Sequence, residues 1–377
     1  MRIGIIGHGI TIERENYDWA IEDTVFYTVR KTLESIGMSI DQIETVVQAG
    51  DDVADGLAIQ HVQTVEAAGA YLKEESKVER DGAWAVYYAM IRMMTGKFKT
   101  ALVTGCSKGT QCGLSAFSGM CADPFYLRPV GADSDTIAAI QAGYFSNRSG
   151  ATERDFAEVA RKNRKAGLKN PRIMQGEGGD YSIEDILNAP KISTPINELN
   201  TGRTGDGCVA VILATEDYIK EHKLSATYIT GVGQISDAYY PTYRNFSRLL
   251  GAEKAAQSAY KMAGITPDKI QLAEVHESYA HQELMVYEAL GFCKEGEATK
   301  LLKDGTTNRD GKLPVNPSGG VTCGNIIYGS GLARVMEASL QVQGKAGDVQ
   351  VKGVKTAVAH AQAGLGMQAN LVMVLEA

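Results

Sequence analysis

The run Glu274-Val-His-Glu-Ser-Tyr279 puts an imidazole, two carboxylates and two hydroxyls side by side. It closes an apolar strand and opens a helix expected over residues 280–290. Polar groups at the C-terminal edge of a strand are where ligands bind in α/β sheets. The residues alone leave a second reading open, in which Ser278 and Glu277 cap the helix and His276 is a satisfied core side chain. A second stretch runs from Asn316 to Gly331 (Asn-Pro-Ser-Gly-Gly-Val-Thr-Cys-Gly-Asn-Ile-Ile-Tyr-Gly-Ser-Gly) and carries the Cys323 thiol, the Asn325 amide and the Tyr328 phenol among its glycines. An amide can donate to a developing enolate oxygen, and a phenol can act as acid, base or donor. His276 and His281 are five apart and so lie on different faces of a helix, and no metal site is expected there.

Other motifs give little. Gly7-His-Gly9 follows a strand, but Ile12 stands where the third glycine of a dinucleotide loop belongs. The chain has no Walker loop or H-E-x-x-H helix. Six cysteines lack any C-x-x-C pair, which argues against structural zinc and against a disulfide framework; buried thiols are the expected state.

The elements that must hold these residues repeat. Ile5-Ile-Gly-His-Gly9 is echoed by Ile229-Thr-Gly-Val-Gly233, and Leu33-Glu-Ser-Ile-Gly37 by Tyr260-Lys-Met-Ala-Gly264. In both copies an amphipathic helix stops at glycine and feeds an apolar strand. Thr100-Ala-Leu-Val-Thr-Gly105 and Thr356-Ala-Val-Ala-His360 look like matching later strands. Two α/β halves are expected, 1–215 and 216–377, with residues 107–200 inserted as a lid over a substrate pocket. That insertion includes a helix from Glu153 to Arg164.

With 377 residues, 44% of them hydrophobic and 22% charged, the chain can bury a large core. Its net charge of −7 argues against nucleic acid or an anionic membrane as partner. The N-terminus reads as a strand rather than a signal peptide, and no apolar run nears the ~20 residues of a membrane span. A cytoplasmic protein is expected.

The run Glu274-Val-His-Glu-Ser-Tyr…Glu283-Leu…Tyr287-Glu-Ala-Leu-Gly-Phe-Cys293 resembles the E-x-H-D-C-F…E-L-x-x-Y-E-A-L-G-x-C motif of sterol-carrier-protein-type thiolases. Asn316 to Gly331 resembles their Asn-Pro-Ser-Gly-Gly…Gly-His-Pro segment, Val358-Ala-His360…Gly364-Leu-Gly366 their C-terminal tail, and Gly205-Asp-Gly207 their Ser-Asp-Gly turn. The resemblance implies the thiolase fold: two similar βαβαβαββ halves in a five-layer αβαβα arrangement with an inserted loop domain. It also implies a homodimer or higher assembly and coenzyme A as a moiety of substrate or product, with no resident cofactor.

The departures direct the expected chemistry. Glu79 is expected at the position of the acylated cysteine at a helix start, and Ser278 at that of the second catalytic cysteine. Asn325 stands for the oxyanion-binding histidine, while His276 is retained. Tyr328 falls where these enzymes usually have glycine, and tyrosines in this region serve thiolase-like aldolases acting on sterol side-chain thioesters. Cys323 is the candidate for a displaced nucleophile. Asn316, Gly320, Gly364 and Gly366 complete the expected oxyanion and substrate frame.

Three functions follow from this set. One is retro-aldol cleavage of a β-hydroxyacyl-CoA, with His276 and Asn325 holding the enolate, Tyr328 as base or acid, and a small zinc-ribbon/OB-fold partner protein implied. Another is thiolytic acyl transfer on a β-ketoacyl-CoA through Cys323 or a partner's residue. The third is a catalytically silent subunit serving as scaffold or substrate holder. Tyr239, Tyr240, Tyr243 and Phe246 suggest a bulky or ring-bearing acyl group, with core or dimer contacts as the other reading.

Overall fold

The computed structural model describes residues 1–56 and 59–377. The first half opens with β1 (Ile3–Glu13), α1 (Ile21–Ser35), β2 (Thr45–Ala49) and the short α2 (Gln60–Gln63). It continues with β3 (Glu74–Val78), α3 (Gly82–Met94) and β4 (Thr100–Lys108). On α1 the buried positions Ile21, Val25, Val29 and Leu33 recur every fourth residue, which lays one apolar stripe on the sheet. Gly37, at φ +67°, follows its end and turns the chain toward β2.

The segment expected as a lid is more helical than its glycine and asparagine content suggests. It holds α4 (Leu114–Met120), α5 (Ser134–Ser149), α6 (Glu153–Gly167) and α7 (Ile183–Leu187), then a hairpin of β5 (Lys191–Ser193) and β6 (Ile196–Asn197). The chain returns through β7 (Thr204–Thr215) and α8 (Glu216–Glu221). The second half comprises β8 (Thr227–Ser236), α9 (Leu250–Ala263), β9 (Leu272–Val275), α10 (Ala280–Ala289) and α11 (Ala298–Lys303). It ends with β10 (Asn325–Ile326), α12 (Ser330–Gln343), β11 (Thr356–Ala363) and β12 (Ala369–Glu376). Gly264, at φ +70°, stops α9 as Gly37 follows α1.

The main sheet runs β3-β2-β4-β7-β1-β8-β12-β11-β9. Read outward from its centre, both halves follow one scheme: first strand innermost, then last, fourth and second. Where β3 completes the first half, Val315 makes a parallel bridge to Ala273 in the second. The halves meet where β1 and β8 pair antiparallel at Gly4–Tyr228 and Ile5–Thr227.

Two helices are sandwiched between the halves. Trp84, Val86 and Met93 of α3 share one core with Leu332, Val335 and Met336 of α12, with Val47 and Val103 on one side and Leu272 and Leu371 on the other. α1 covers the outside of the first half, and α9 and α10 that of the second. This is the five-layer thiolase arrangement. Cys106 and Cys208, expected as free thiols, sit opposite one another on β4 and β7 and are disulfide-bonded. Among the described residues no helix is long and apolar enough to cross a membrane.

Candidate active site

Past the end of β9 the extended chain alternates its side chains, so His276 and Ser278 face a cavity of about 240 Å³ while Glu277 turns into the protein. Asn325, Tyr328, Gly364 and Gly366 line the same cavity. Six of the ten residues singled out as site candidates are therefore brought together. Glu79, Cys323, Asn316 and Gly320 are not among its walls.

His276 is buried, with Nε2 3.3 Å from Ser278 Oγ and Nδ1 without a partner among the described residues. Burial holds its pKa well below the usual imidazole value, with His360 and Arg334 adding to the effect. The ring is therefore neutral at physiological pH. Ser278 Oγ accepts a hydrogen bond from Gln362 Nε2 at 3.3 Å. Gln362 also donates to Gln282 Oε1 (2.9 Å), Gln282 to Gln141 Oε1 (3.2 Å), and Gln141 to the Gly366 carbonyl (3.2 Å). Each amide fixes the orientation of the next, leaving the Ser278 proton for His276 or for the cavity.

Asn325 is held by its backbone N–H on the Arg203 carbonyl at 2.9 Å, beside the pairing of β10 with β7. Its Oδ1 accepts from Ser330 Oγ at 2.8 Å, so the NH2 half remains to donate. Tyr328 has φ +64°, a conformation that costs a residue bearing Cβ roughly 1–2 kcal/mol and that glycine adopts freely. Its carbonyl accepts from Gly82 N at 2.7 Å, which ties this turn to the start of α3. Burial, reinforced by the Asp51 carboxylate, pushes the phenol pKa far above its ordinary value. Tyr328 thus rests as a protonated donor, which disfavours the role of resting base allowed by its residue type.

At the start of α3 it is Asp81 that lines the cavity, two residues beyond the expected Glu79. Glu79 lies just after β3, its side chain 62% exposed, and pairs with Lys77 at 3.3 Å. Asp81 Oδ1 accepts from Ala83 N (2.9 Å) and Oδ2 from Gly331 N (2.7 Å), so one carboxylate caps both central helices. Burial raises its pKa to about 7 against the pull of these amides.

Cys323 is packed away from the cavity between Gly167 and Gly319, its thiol directed at the Asn163 carbonyl (3.5 Å). Burial pushes that thiol up to about 12, which disfavours the thiolate a nucleophile requires. Asn316 and Gly320 belong to a buried network behind the site. Asn316 Oδ1 accepts from Val275 N (2.7 Å), and its amide bridges Glu277 and Glu283 at 2.8 Å each. Asn163 bridges the same two carboxylates, Thr322 bonds Glu277 twice, and Lys162 holds Glu283 at 2.7 Å. A Cβ on Gly320 would stand 2.1 Å from Glu277 Oε1.

Sequence reasoning missed the glutamine chain, Asp81 as a cavity residue, and Cys121, which also lines the cavity. Gln362 was within reach, two positions after His360 on β11; Gln141 and Cys121 carry no local signal. Burial and the Asp51 carboxylate raise the Cys121 thiol. Tyr239 and Tyr240 hang over this side, donating to the Cys121 carbonyl (3.2 Å) and to Asp123 (3.0 Å).

The thiolase C-terminal domain-like family model matches residues 233–377. An acetyl-CoA acetyltransferase of Methanothermobacter thermautotrophicus is 25% identical, with 97% of each chain aligned. The chain thus resembles thiolase-superfamily proteins along its length, and the match to the family model falls on its C-terminal part. Sterol carrier protein 2 of Gallus gallus is 33% identical over 59% of this chain, which spans only 41% of that protein. Among solved structures, the Ltp2-ChsH2(DUF35) aldolase superposes with a TM-score of 0.83 over 100% of this chain and 98% of the other, at 22% identity.

Proposed function

We propose that this chain acts on an acyl-CoA by breaking or forming the carbon–carbon bond beside the thioester without a covalent cysteine intermediate, as a retro-aldol enzyme on a β-hydroxyacyl-CoA. The observation that carries this reading is the composition of the cavity. Donors suited to an enolate converge there, while the start of α3 presents a carboxylate and Cys323 is sealed elsewhere. A retro-aldol step holds no acyl group on the protein and needs no sulfur nucleophile.

In this scheme Asp81, with a pKa of about 7, takes the β-hydroxyl proton, and the Cα–Cβ bond breaks to a carbonyl product and an enolate. The Asn325 amide and the His276–Ser278 pair donate to the enolate oxygen. Tyr328, kept protonated, delivers a proton to the enolate carbon, and the protein regains balance by passing the proton from Asp81 back through solvent. Coenzyme A enters only as part of the substrate and product.

The same reading carries a homodimer or higher assembly, with Tyr88, Ile91 and Met94 exposed on α3 as apolar surface for it to cover. It also carries a small zinc-ribbon/OB-fold partner, supported by the likeness to an aldolase whose solved form bears a two-component name. Its test is product analysis with panels of β-hydroxy- and β-ketoacyl-CoA, with and without free CoA. An aldehyde or ketone plus a shorter acyl-CoA, formed without added CoA, is the expected outcome. Turnover of β-ketoacyl-CoA alone, strictly dependent on free CoA, would sink it. That thiolytic alternative has one observation in its favour, the Cys121 thiol at the cavity wall, and loss of such turnover in Cys121→Ala would establish it.

A further inference from the structure

On the other side of the glycine turn from the cavity, a cleft of about 660 Å³ opens between α6, α11 and the loop that leads to Asn316 and Pro317. Its walls carry six cations: Arg161, Lys162, Lys165, Lys169, Lys303 and Arg309. Among the described residues only Glu158 and Asp310 oppose them on its walls, in a chain whose net charge is −7. Cations crowded into a concavity against the sign of the whole molecule focus their field on an anion.

Their present partners leave them available. Arg161, Lys165 and Lys303 make ion pairs at the rim with Glu158, Asp180 and Asp155, and each of the three cationic side chains is at least 43% exposed. The pairs of Arg161 and Lys165 have both partners open to solvent and exchange readily, whereas Lys303 is held by the buried Asp155. Lys169 has no carboxylate partner among the described residues, and Arg309 spends one N–H on the Asp348 carbonyl at 3.1 Å. At the floor Lys162 is 9% exposed and fixed by the Val315 carbonyl (2.6 Å) and Glu283 (2.7 Å). A fixed ammonium at the floor beneath exposed cations is an arrangement suited to holding a multivalent oxyanion by charge-assisted hydrogen bonds.

We propose that this cleft is a second ligand site that binds a phosphate-bearing anion. The cavity with His276 and Tyr328 shares no wall residue with it, so the site stands independently of the reaction proposed above. Two sources share this chemistry, free phosphates and the nucleotide end of a coenzyme A ester, and the probes separate them.

The test is titration calorimetry of the whole protein at low salt with pyrophosphate and with adenosine 3′,5′-bisphosphate. Saturable one-to-one binding with Kd near or below ~1 mM is expected, weakened at least ~10-fold in Lys169→Glu/Arg309→Glu. Lys169→Gln/Arg309→Gln should fall between the two, and guards against a folding defect in the charge reversal. Equal affinity for both probes supports phosphate recognition alone, and ~10-fold tighter bisphosphate supports a nucleotide ligand. Absence of saturation by ~10 mM, or binding unchanged in both double variants, overturns the site.

Discussion

His276 and Glu277 are neighbours in sequence and opposites in role. His276, with Ser278, Asn325 and Tyr328, gives its polar atoms to a cavity, where they keep unused hydrogen-bonding capacity. Glu277, with Asn316, Thr322 and Glu283, spends its capacity inside the protein. Burial acts on both regions with contrary consequences. It removes the charge from His276, leaving a neutral group able to exchange hydrogen bonds with a substrate. In Glu277 burial and the adjacent Glu283 raise the pKa, a cost offset by the hydrogen bonds that converge on it. One sequence motif is therefore half cavity wall and half the frame that holds it.

Substitutions on the two sides should separate turnover from stability. His276→Ala and Tyr328→Phe are each expected to lower kcat/KM by ~10²–10³-fold with little change in the urea midpoint. Full activity of the assembled complex carrying the His276→Ala/Tyr328→Phe double variant would leave only the silent-scaffold reading. Glu277→Ala should show the reverse emphasis. It removes the acceptor of Thr322 and one of the two carboxylates bridged by Asn163 and by Asn316, for an expected loss of about 3–5 kcal/mol in urea unfolding, whereas Glu277→Gln should lose less. If Glu277→Ala unfolds like the parent protein, the division between cavity wall and frame fails.

Dependence on pH gives a subtler test. The folded state raises the Asp81 pKa to about 7, above its value in the unfolded chain. Its favourable contribution is therefore complete in acid and is lost as pH rises from about 4 to about 7. Asp81→Asn should flatten that part of the stability curve and remove the activity that, in the parent, rises as Asp81 ionises near pH 7. For His276 the folded pKa lies below 6.5, so its contribution is present above that pH and is lost as pH falls; titration followed by NMR should show no His276 step between pH 6 and 8. The smallest effects belong to the thiols. Cys121→Ala and Cys323→Ala should each change retro-aldol turnover by less than about twofold, and Cys323→Ala should cost about 1 kcal/mol of stability as a packing loss.

Much of the layered fold was legible because glycine stops, apolar periods and the internal echo are local signals. Gly37 and Gly264 both turn left-handed beyond helices of matching pattern. The helix from Glu153 was also local, although it runs to Gly167 rather than Arg164. The site was legible where the extended chain alternates, at His276 and Ser278, and at Tyr328, whose left-handed backbone suits a position usually given to glycine. Glu79 was misplaced because a count along a strand-to-helix junction does not give the residue at which the helix begins; the cap is Asp81. Cys323 looked chemical because of its neighbours in sequence, while its neighbours in space are two glycines and carbonyl groups.

The sequence alone determined which elements form and which functional groups are present, since helix stops, strand alternation and the identity of a side chain are properties of short stretches. Only the tertiary structure decided which way those groups face and what protonation state burial leaves them. The cavity is assembled from the start of α3, the end of β9, the glycine turn and β11, parts distant along the chain. Orientation and dielectric environment arise where such parts meet, and no local pattern encodes that meeting.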